Sequence, residues 1–173
     1  MTQQISTTDI RPGTYLIDPV RSSVRFTATH VFGLRPVEGT FTVRSGTVVV
    51  AEEPRRSTVS AELDAGSFTT GDHRRDADVR GKHFLDAARW PAIGFRSTRL
   101  DLSAPGPKLI GELSARGGSG EVTLDIVDVA ETTDGYRITA TGTIDRVAAG
   151  VAAGRAIIAR YLTTTIAVHV TTA

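Results

Sequence analysis

The sequence has no cysteine among its 173 residues. Disulfides, thiolate nucleophiles and thiolate metal ligands are therefore excluded, although this absence does not by itself assign a compartment. Aromatic residues are scarce, at 6% with a single tryptophan, so large rings cannot be the main filling of the interior. Neither sign of charge dominates: 20 Lys and Arg stand against 19 Asp and Glu, for a net charge of +1. Nucleic-acid binding wants a basic patch or stripe, and the pairs Arg55-Arg56 and Arg74-Arg75 are isolated, so no nucleic-acid partner is expected. No stretch approaches the ~18 apolar residues of a membrane-spanning helix, and stable membrane insertion is not expected. The opening "MTQQISTTDIRPG" is polar and lacks the basic start and apolar run of a secretory signal. The expected compartment is the cytoplasm.

What is present points to strands. The chain is 40% hydrophobic, mostly Val, Ala, Leu and Ile, and holds 17 glycines. Its length suits one domain with one core. Residues 1–12 read as a flexible leader, and 13–173 as the domain. "SVRFTATH" alternates, with Val24, Phe26 and Ala28 on one face, which is the mark of a half-buried strand. "VEGTFTV" and "GTVVVA" read as a hairpin around Arg44-Ser45. Further alternating runs put Val59 and Leu63, Ile93 and Phe95, Leu124, Ile138, and Ile166 on inward faces, together with Phe41. Turn signals such as "SAPGP", "RGGSG" and "TTDG" separate them. "VAAGVAAGRAII" reads as a loop, because Gly150 and Gly154 would each cost a helix roughly 1 kcal/mol. Eight or nine strands at this spacing give a sandwich or an antiparallel barrel, and long strands with clean apolar faces favour the barrel. An eight-stranded barrel is just wide enough to hold one small ligand. An inward set rich in Val, Ala and Gly leaves volume for an apolar one.

One stretch breaks the pattern: "TTGDHRRDADVRGKHFLDAARWPAIGF", Thr69 to Phe95. A helix is expected from about Asp72, with Thr70 or Asp72 as N-cap. Helical spacing puts His73, Ala77, Arg80 and Phe84 on one face. Asp76 with Arg80, and Asp78 with Lys82, form acid-to-base pairs four residues apart. Asp86 can open a second short turn that Pro91 ends. One or two short helices would then lie over the barrel mouth as a lid, with the rings of Phe84 and Trp90 turned inward.

Catalysis would need His73 or His83 as a base beside Asp72, Asp76 or Asp86, with a third group to orient it. No nucleophile motif accompanies them, so solvated, structural histidines are the simpler account, and no catalytic residue is assigned. His30, His73, His83 and His169 show no metal-binding spacing, and no metal site is expected. "RGGSGE" lacks the Lys-Ser/Thr of a phosphate loop.

Over Tyr15 to Thr98 the chain resembles the YceI-like family of polyisoprenoid-binding, lipocalin-like proteins. The resemblance rests on Ile17-Asp18-Pro19, Ser22-Ser23-Val24, Phe26, His30, Gly39-Thr40-Phe41 and Ser45-Gly46-Thr47. It continues in order through Asp64-Ala65, Thr70-Gly71, Arg75-Asp76, Phe84, Asp86, Pro91 and Phe95. It implies an eight-stranded antiparallel β-barrel, a helical segment after the fourth or fifth strand, and an interior for a long isoprenoid or fatty chain. The chain departs from the family at Asp78, where a His is usual, in the clipped "RGGSGEVTL" turn, in the weakly matching C-terminal third, and in lacking the signal peptide of many relatives.

The expected protein is thus an all-β, lipocalin-like barrel that carries or stores a polyisoprenoid, an isoprenoid quinone or a fatty acyl chain without catalysis. No cofactor beyond that bound lipid is expected, and a homodimer is compatible with the sequence. Phe26, Phe41, Leu63, Phe84, Trp90, Ile93, Phe95, Leu124, Ile138 and Ile166 are the expected cavity residues. Arg75 and Asp76, the pair shared with the family, are expected to hold the lid. The competing classes are a small-substrate enzyme using the His73/His83/Asp cluster, and a packed barrel acting through its surface.

Overall fold

A computed structural model describes residues 3–28, 36–103, 105–154 and 159–173. The alternating runs form strands β1 (Gln3–Gln4), β2 (Gly13–Ile17), β3 (Ser23–Ala28), β4 (Val37–Phe41), β5 (Val43–Val50) and β6 (Thr58–Asp64). They continue with β7 (Ala92–Asp101), β8 (Lys108–Ala115), β9 (Gly118–Glu131), β10 (Gly135–Asp145) and β11 (Tyr161–Thr172). The single α-helix among the described residues, α1, covers His73–Arg80.

Every strand pairing is antiparallel, and the pairings close on themselves. β5, β6, β7, β8, β9, β10 and β11 follow one another around the barrel, and β2 pairs with both β11 and β5. β3 continues β2 along the same edge of β11, and β4 pairs with β3 as β5 pairs with β2. The first two staves are therefore bent strands, β2 with β3 and β4 with β5, and the result is a closed eight-stranded barrel. Asp18 makes the first bend: its Oδ1 accepts from the backbone N–H groups of Val20 and Arg21 at 2.9 and 3.2 Å.

The second bend corrects the hairpin expected at Arg44-Ser45. The chain does not reverse there, and Val43–Val50 is one strand. A β-bulge lies between Val43 and Ser45 against β6. An extra residue in one strand kinks and twists it without ending it, which polar turn-like residues mimic in sequence. Two further irregularities, at Ser97/Arg99 of β7 and opposite Thr139/Ala140 in β9, shift the alternation within long strands. In β9 the inward series Val122, Leu124 and Ile126 resumes at Val129, while Val127 is left exposed.

Residues 3–12 of the expected flexible leader are instead built into one end of the barrel, here called the base. β1 pairs with Glu131 and Ala130 of β9, and Ser6 caps a short 3-10 turn over Thr7–Asp9 with a reciprocal bond from its own N–H to Asp9. Ile10 is buried in the core. The Tyr15 hydroxyl donates to the Arg11 carbonyl at 2.7 Å, and the Arg11 N–H donates to the Tyr136 hydroxyl at 3.2 Å. Those two rings meet edge to face at 5.5 Å. A polar composition concealed a segment whose few apolar contacts are reinforced by local hydrogen bonds.

Small residues bring the opposite end together. Ala148 to Gly150 lie directly on the start of β9, and the Ala115 N–H donates to the Ala149 carbonyl at 3.1 Å. A Cβ at Gly118 would lie 2.7 Å from the Gly150 Cα. The "VAAGVAAG" stretch forms turns and not a helix over its described part. Gly118→Ala is expected to lower stability by about 1–3 kcal/mol, the range for forced overpacking. Gly106→Ala, where a Cβ meets nothing within 4 Å, should stay within about ±0.5 kcal/mol. Urea unfolding of both variants checks the contrast.

Candidate functional site

The barrel interior contains two apolar chambers. The lower one, toward the base, has a volume of about 170 Å³ and runs from Ile10, Thr7 and Thr8 up to Phe95 and Leu113. The upper one has about 210 Å³ and lies beneath the helical insert, bounded by Phe41, Phe68, Val79, Phe84 and Leu85. Among the described residues, no ionisable side chain lines the lower chamber. Two of its polar wall groups are occupied within the protein: the Thr164 hydroxyl donates to the Arg25 carbonyl at 2.9 Å, and the Ser57 hydroxyl accepts from the Ala51 N–H at 3.1 Å. Such walls offer a ligand dispersion contacts and displacement of poorly bonded water, and little else.

Leu63, Phe95, Leu124, Ile138 and Ile166 line the lower chamber, Phe41 and Phe84 line the upper, and Phe26 and Ile93 line both. Val24 and Val59, also read as inward, lie in the lower chamber. Trp90 is the exception. It borders neither chamber and is 36% exposed. The backbone turns at Asp86, whose φ is +47° and whose carbonyl accepts the N–H of Arg89 and of Trp90. The indole is thereby carried outward onto Gly117, where a Cβ would lie 3.0 Å from the ring, and Arg89 sits 5.3 Å from the ring centre. A bare glycine in the β8–β9 turn supplies the flat surface that the barrel mouth was expected to supply.

The insert is held by a set of bonds only partly foreseen. Asp72 caps α1, accepting from the N–H groups of Arg74 and Arg75 at 3.1 Å. The helix turns Asp76, not the His73/Ala77 side, toward the protein: Asp76 is 3% exposed, whereas His73 and Ala77 are exposed. The Asp76 carboxylate accepts from the Thr69 hydroxyl at 2.9 Å, and from the Thr70 N–H and hydroxyl at 2.8 and 2.7 Å. Burial by itself would raise its pKa. The bonds from Thr70 and Thr69 and the nearby charge of Arg80 outweigh that and hold it below the ordinary carboxylate value. The Arg75 guanidinium, paired with Asp76 in the expectation, makes long contacts, to the Thr70 hydroxyl at 3.4 Å and Asp72 at 3.8 Å, and Arg75 borders the upper chamber.

Two unforeseen arginines complete the attachment. Arg80 donates to the Phe68 carbonyl, and Arg116 donates to the carbonyls of His83 and Phe84 at 2.9 and 3.0 Å. Phe68 itself was missed. It follows β6 in a loop with no periodicity to betray it, yet its ring leans on Phe41 at 5.1 Å. At the far rim the Arg160 guanidinium grips Asp145, whose carboxylate also accepts from the Val147 and Ala148 N–H groups, and the Asp145 pKa falls to about 2.

His73 and His83 are exposed, and His30 lies outside the described residues. His169 lines neither chamber, and its backbone N–H donates to the Ser22 hydroxyl at 3.0 Å. Among the described residues, no three His, Asp or Glu side chains gather in a way that could hold a metal ion, and no helix is long and apolar enough to cross a membrane.

The sequence model of the YceI-like domain matches residues 15–172. The chain belongs to the YceI-like family. A UPF0312 protein of Yersinia pestis (strain Pestoides F) is 32% identical over 74 residues, which are 43% of this chain and 38% of that protein. A UPF0312 protein of Yersinia enterocolitica is 28% identical over 103 residues, 59% of this chain and 53% of that one. These alignments thus span about two fifths to one half of the curated relatives' length. Among solved structures, Burkholderia cenocepacia BcnA superposes with a TM-score of 0.74 at 23% identity, covering 90% of this chain and 99% of that one. A polyisoprenoid-binding domain from Saccharophagus degradans, implicated in plant cell wall breakdown, superposes at 0.64 with 14% identity, covering 94% and 100%. At these identities the likeness is one of fold, and it is the fold of this YceI-like barrel.

Asp76 and Asp145 contribute to stability through lowered pKa values, so their contribution is present in full above the ordinary carboxylate pKa of about 4. It is lost as the pH falls from there through their folded-state values, which for Asp145 means toward about 2. Asp76→Asn and Asp145→Asn should therefore each be less stable than the parent at neutral pH, and the gap should narrow as the pH falls from about 4. Urea midpoints across that pH range check it.

Proposed function

We propose that this YceI-like protein is a non-catalytic carrier or store for one long apolar molecule: a polyisoprenoid, an isoprenoid quinone or a fatty acyl chain. The observation that carries the proposal is the pair of interior chambers whose walls present hydrocarbon on nearly every side. An apolar cavity left empty costs about 24 cal/mol per Å³, which for volumes of this size is up to about 4–5 kcal/mol each, and a hydrocarbon occupant removes that cost. Each methylene buried adds about 0.8 kcal/mol. Ten give roughly 8 kcal/mol before association costs, near micromolar at best, so a chain of several isoprene units suits the site better than a small molecule.

The polyisoprenoid named for the Saccharophagus domain agrees with this ligand class. The two exposed histidines and the carboxylates of the insert stand outside both chambers, which favours binding over reaction at that cluster.

Organic-solvent extraction of the purified protein, followed by mass spectrometry, should release one apolar chain per barrel. Phe84→Ala should weaken rebinding of that chain by more than about 1 kcal/mol, since it removes a ring from the upper wall. Extraction that yields no stoichiometric lipid, with no uptake of added isoprenoid or fatty acid, would overturn the proposal.

A further inference from the structure

Four residues line both chambers: Phe26 of β3, Ile93 of β7, Leu113 of β8 and Ile144 of β10. They come from strands spread around the barrel, and so they mark a waist between the upper and lower volumes. Phe26 is the one aromatic side chain of the four. It packs against two apolar clusters that surround the lower chamber, yet it is only half-buried, because its ring borders open volume.

The ring's position is set from the upper side. Phe41 meets it edge to face at 5.4 Å and 88°, and Phe68 supports Phe41 in turn. Phe68 fits because the residue directly across from Phe26 in the β3–β4 pair is Gly39, where a Cβ would lie 2.6 Å from the Phe68 ring. The aromatic row is thus stacked above Phe26 and leaves the lower side of its ring facing the lower chamber.

We propose that Phe26 is a gate that determines which lengths of apolar chain the barrel accepts. This rests on the carrier function proposed above. A short chain occupies the upper chamber and leaves the ring in place. A longer chain enters the lower chamber only by turning the Phe26 side chain toward the wall, which gives up the Phe41 contact in exchange for the hydrocarbon surface below. Among the described residues the lower chamber has no ionisable group, so the chain passes the gate tail first and its polar end stays above.

The test is calorimetric titration of the delipidated full chain with geraniol, farnesol and geranylgeraniol, comparing the parent with Phe26→Trp and Phe26→Ala. Phe26→Trp, which narrows the waist, should weaken geranylgeraniol at least about tenfold more than it weakens geraniol. Phe26→Ala should strengthen the longest alcohol at least about threefold relative to geraniol. Circular dichroism establishes that each variant is folded, and Leu113→Phe, which narrows the same waist from β8 on the opposite wall, stands in if Phe26→Trp does not fold. Equal changes at every length, or none, overturn the gate and leave the carrier function standing. A parent protein that binds none of the three alcohols and no fatty acid overturns both.

Discussion

Eight strands fix the radius of this interior, and the side chains that point into it are too small to fill it. Everything else in the molecule follows from that mismatch of radius and volume. Val, Ala, Leu and Ile dominate the inward positions, and the rings that line the chambers are few. A close-packed barrel of this size would need larger residues on alternate layers. Here the shortfall is concentrated in two chambers, and side-chain hydrogen bonds help to close both ends.

The alternation of apolar residues was a faithful guide to the walls, because burial of one sheet face imposes a period of two that any single sequence displays. Phe26, Leu63, Phe95, Leu124 and Ile138 were all legible in this way. The bulges were not. At Val43/Ser45 an extra residue has the same polar signature as a turn, and only the partner strand β6 distinguishes a kink from a reversal. The leader illustrates a different limit: the bond from the Arg11 N–H to the Tyr136 hydroxyl joins residues more than a hundred positions apart.

The insert was legible as a capped helix followed by a turn, since caps and proline act locally. Which side of it faces inward was not, because the helix has almost no apolar stripe. Its inward face is chosen by a carboxylate that finds three donors in Thr69 and Thr70. Trp90 went astray for a related reason: the left-handed backbone at Asp86 and the bare surface at Gly117 reside in separate segments, and neither alone predicts where the indole goes. The supporting arginines, Arg80 and Arg116, donate to backbone carbonyls, and such bonds leave no mark on residue pairing.

Closure by β11 bears on how the barrel comes into being. β11 follows every other strand in the sequence, yet its partners include β2 and β3, among the earliest. While the chain emerges from the ribosome, the sheet from β4 to β10 can assemble by neighbouring hairpins, but it stays an open trough with its hydrocarbon face uncovered. Contacts of such large sequence separation are slow to form, on the order of milliseconds to seconds in β-rich domains. The interior is therefore reachable from the side during synthesis in a way that it is not once the ring is shut. A long hydrocarbon met in that interval could be wrapped by the closing strand without having to thread an end.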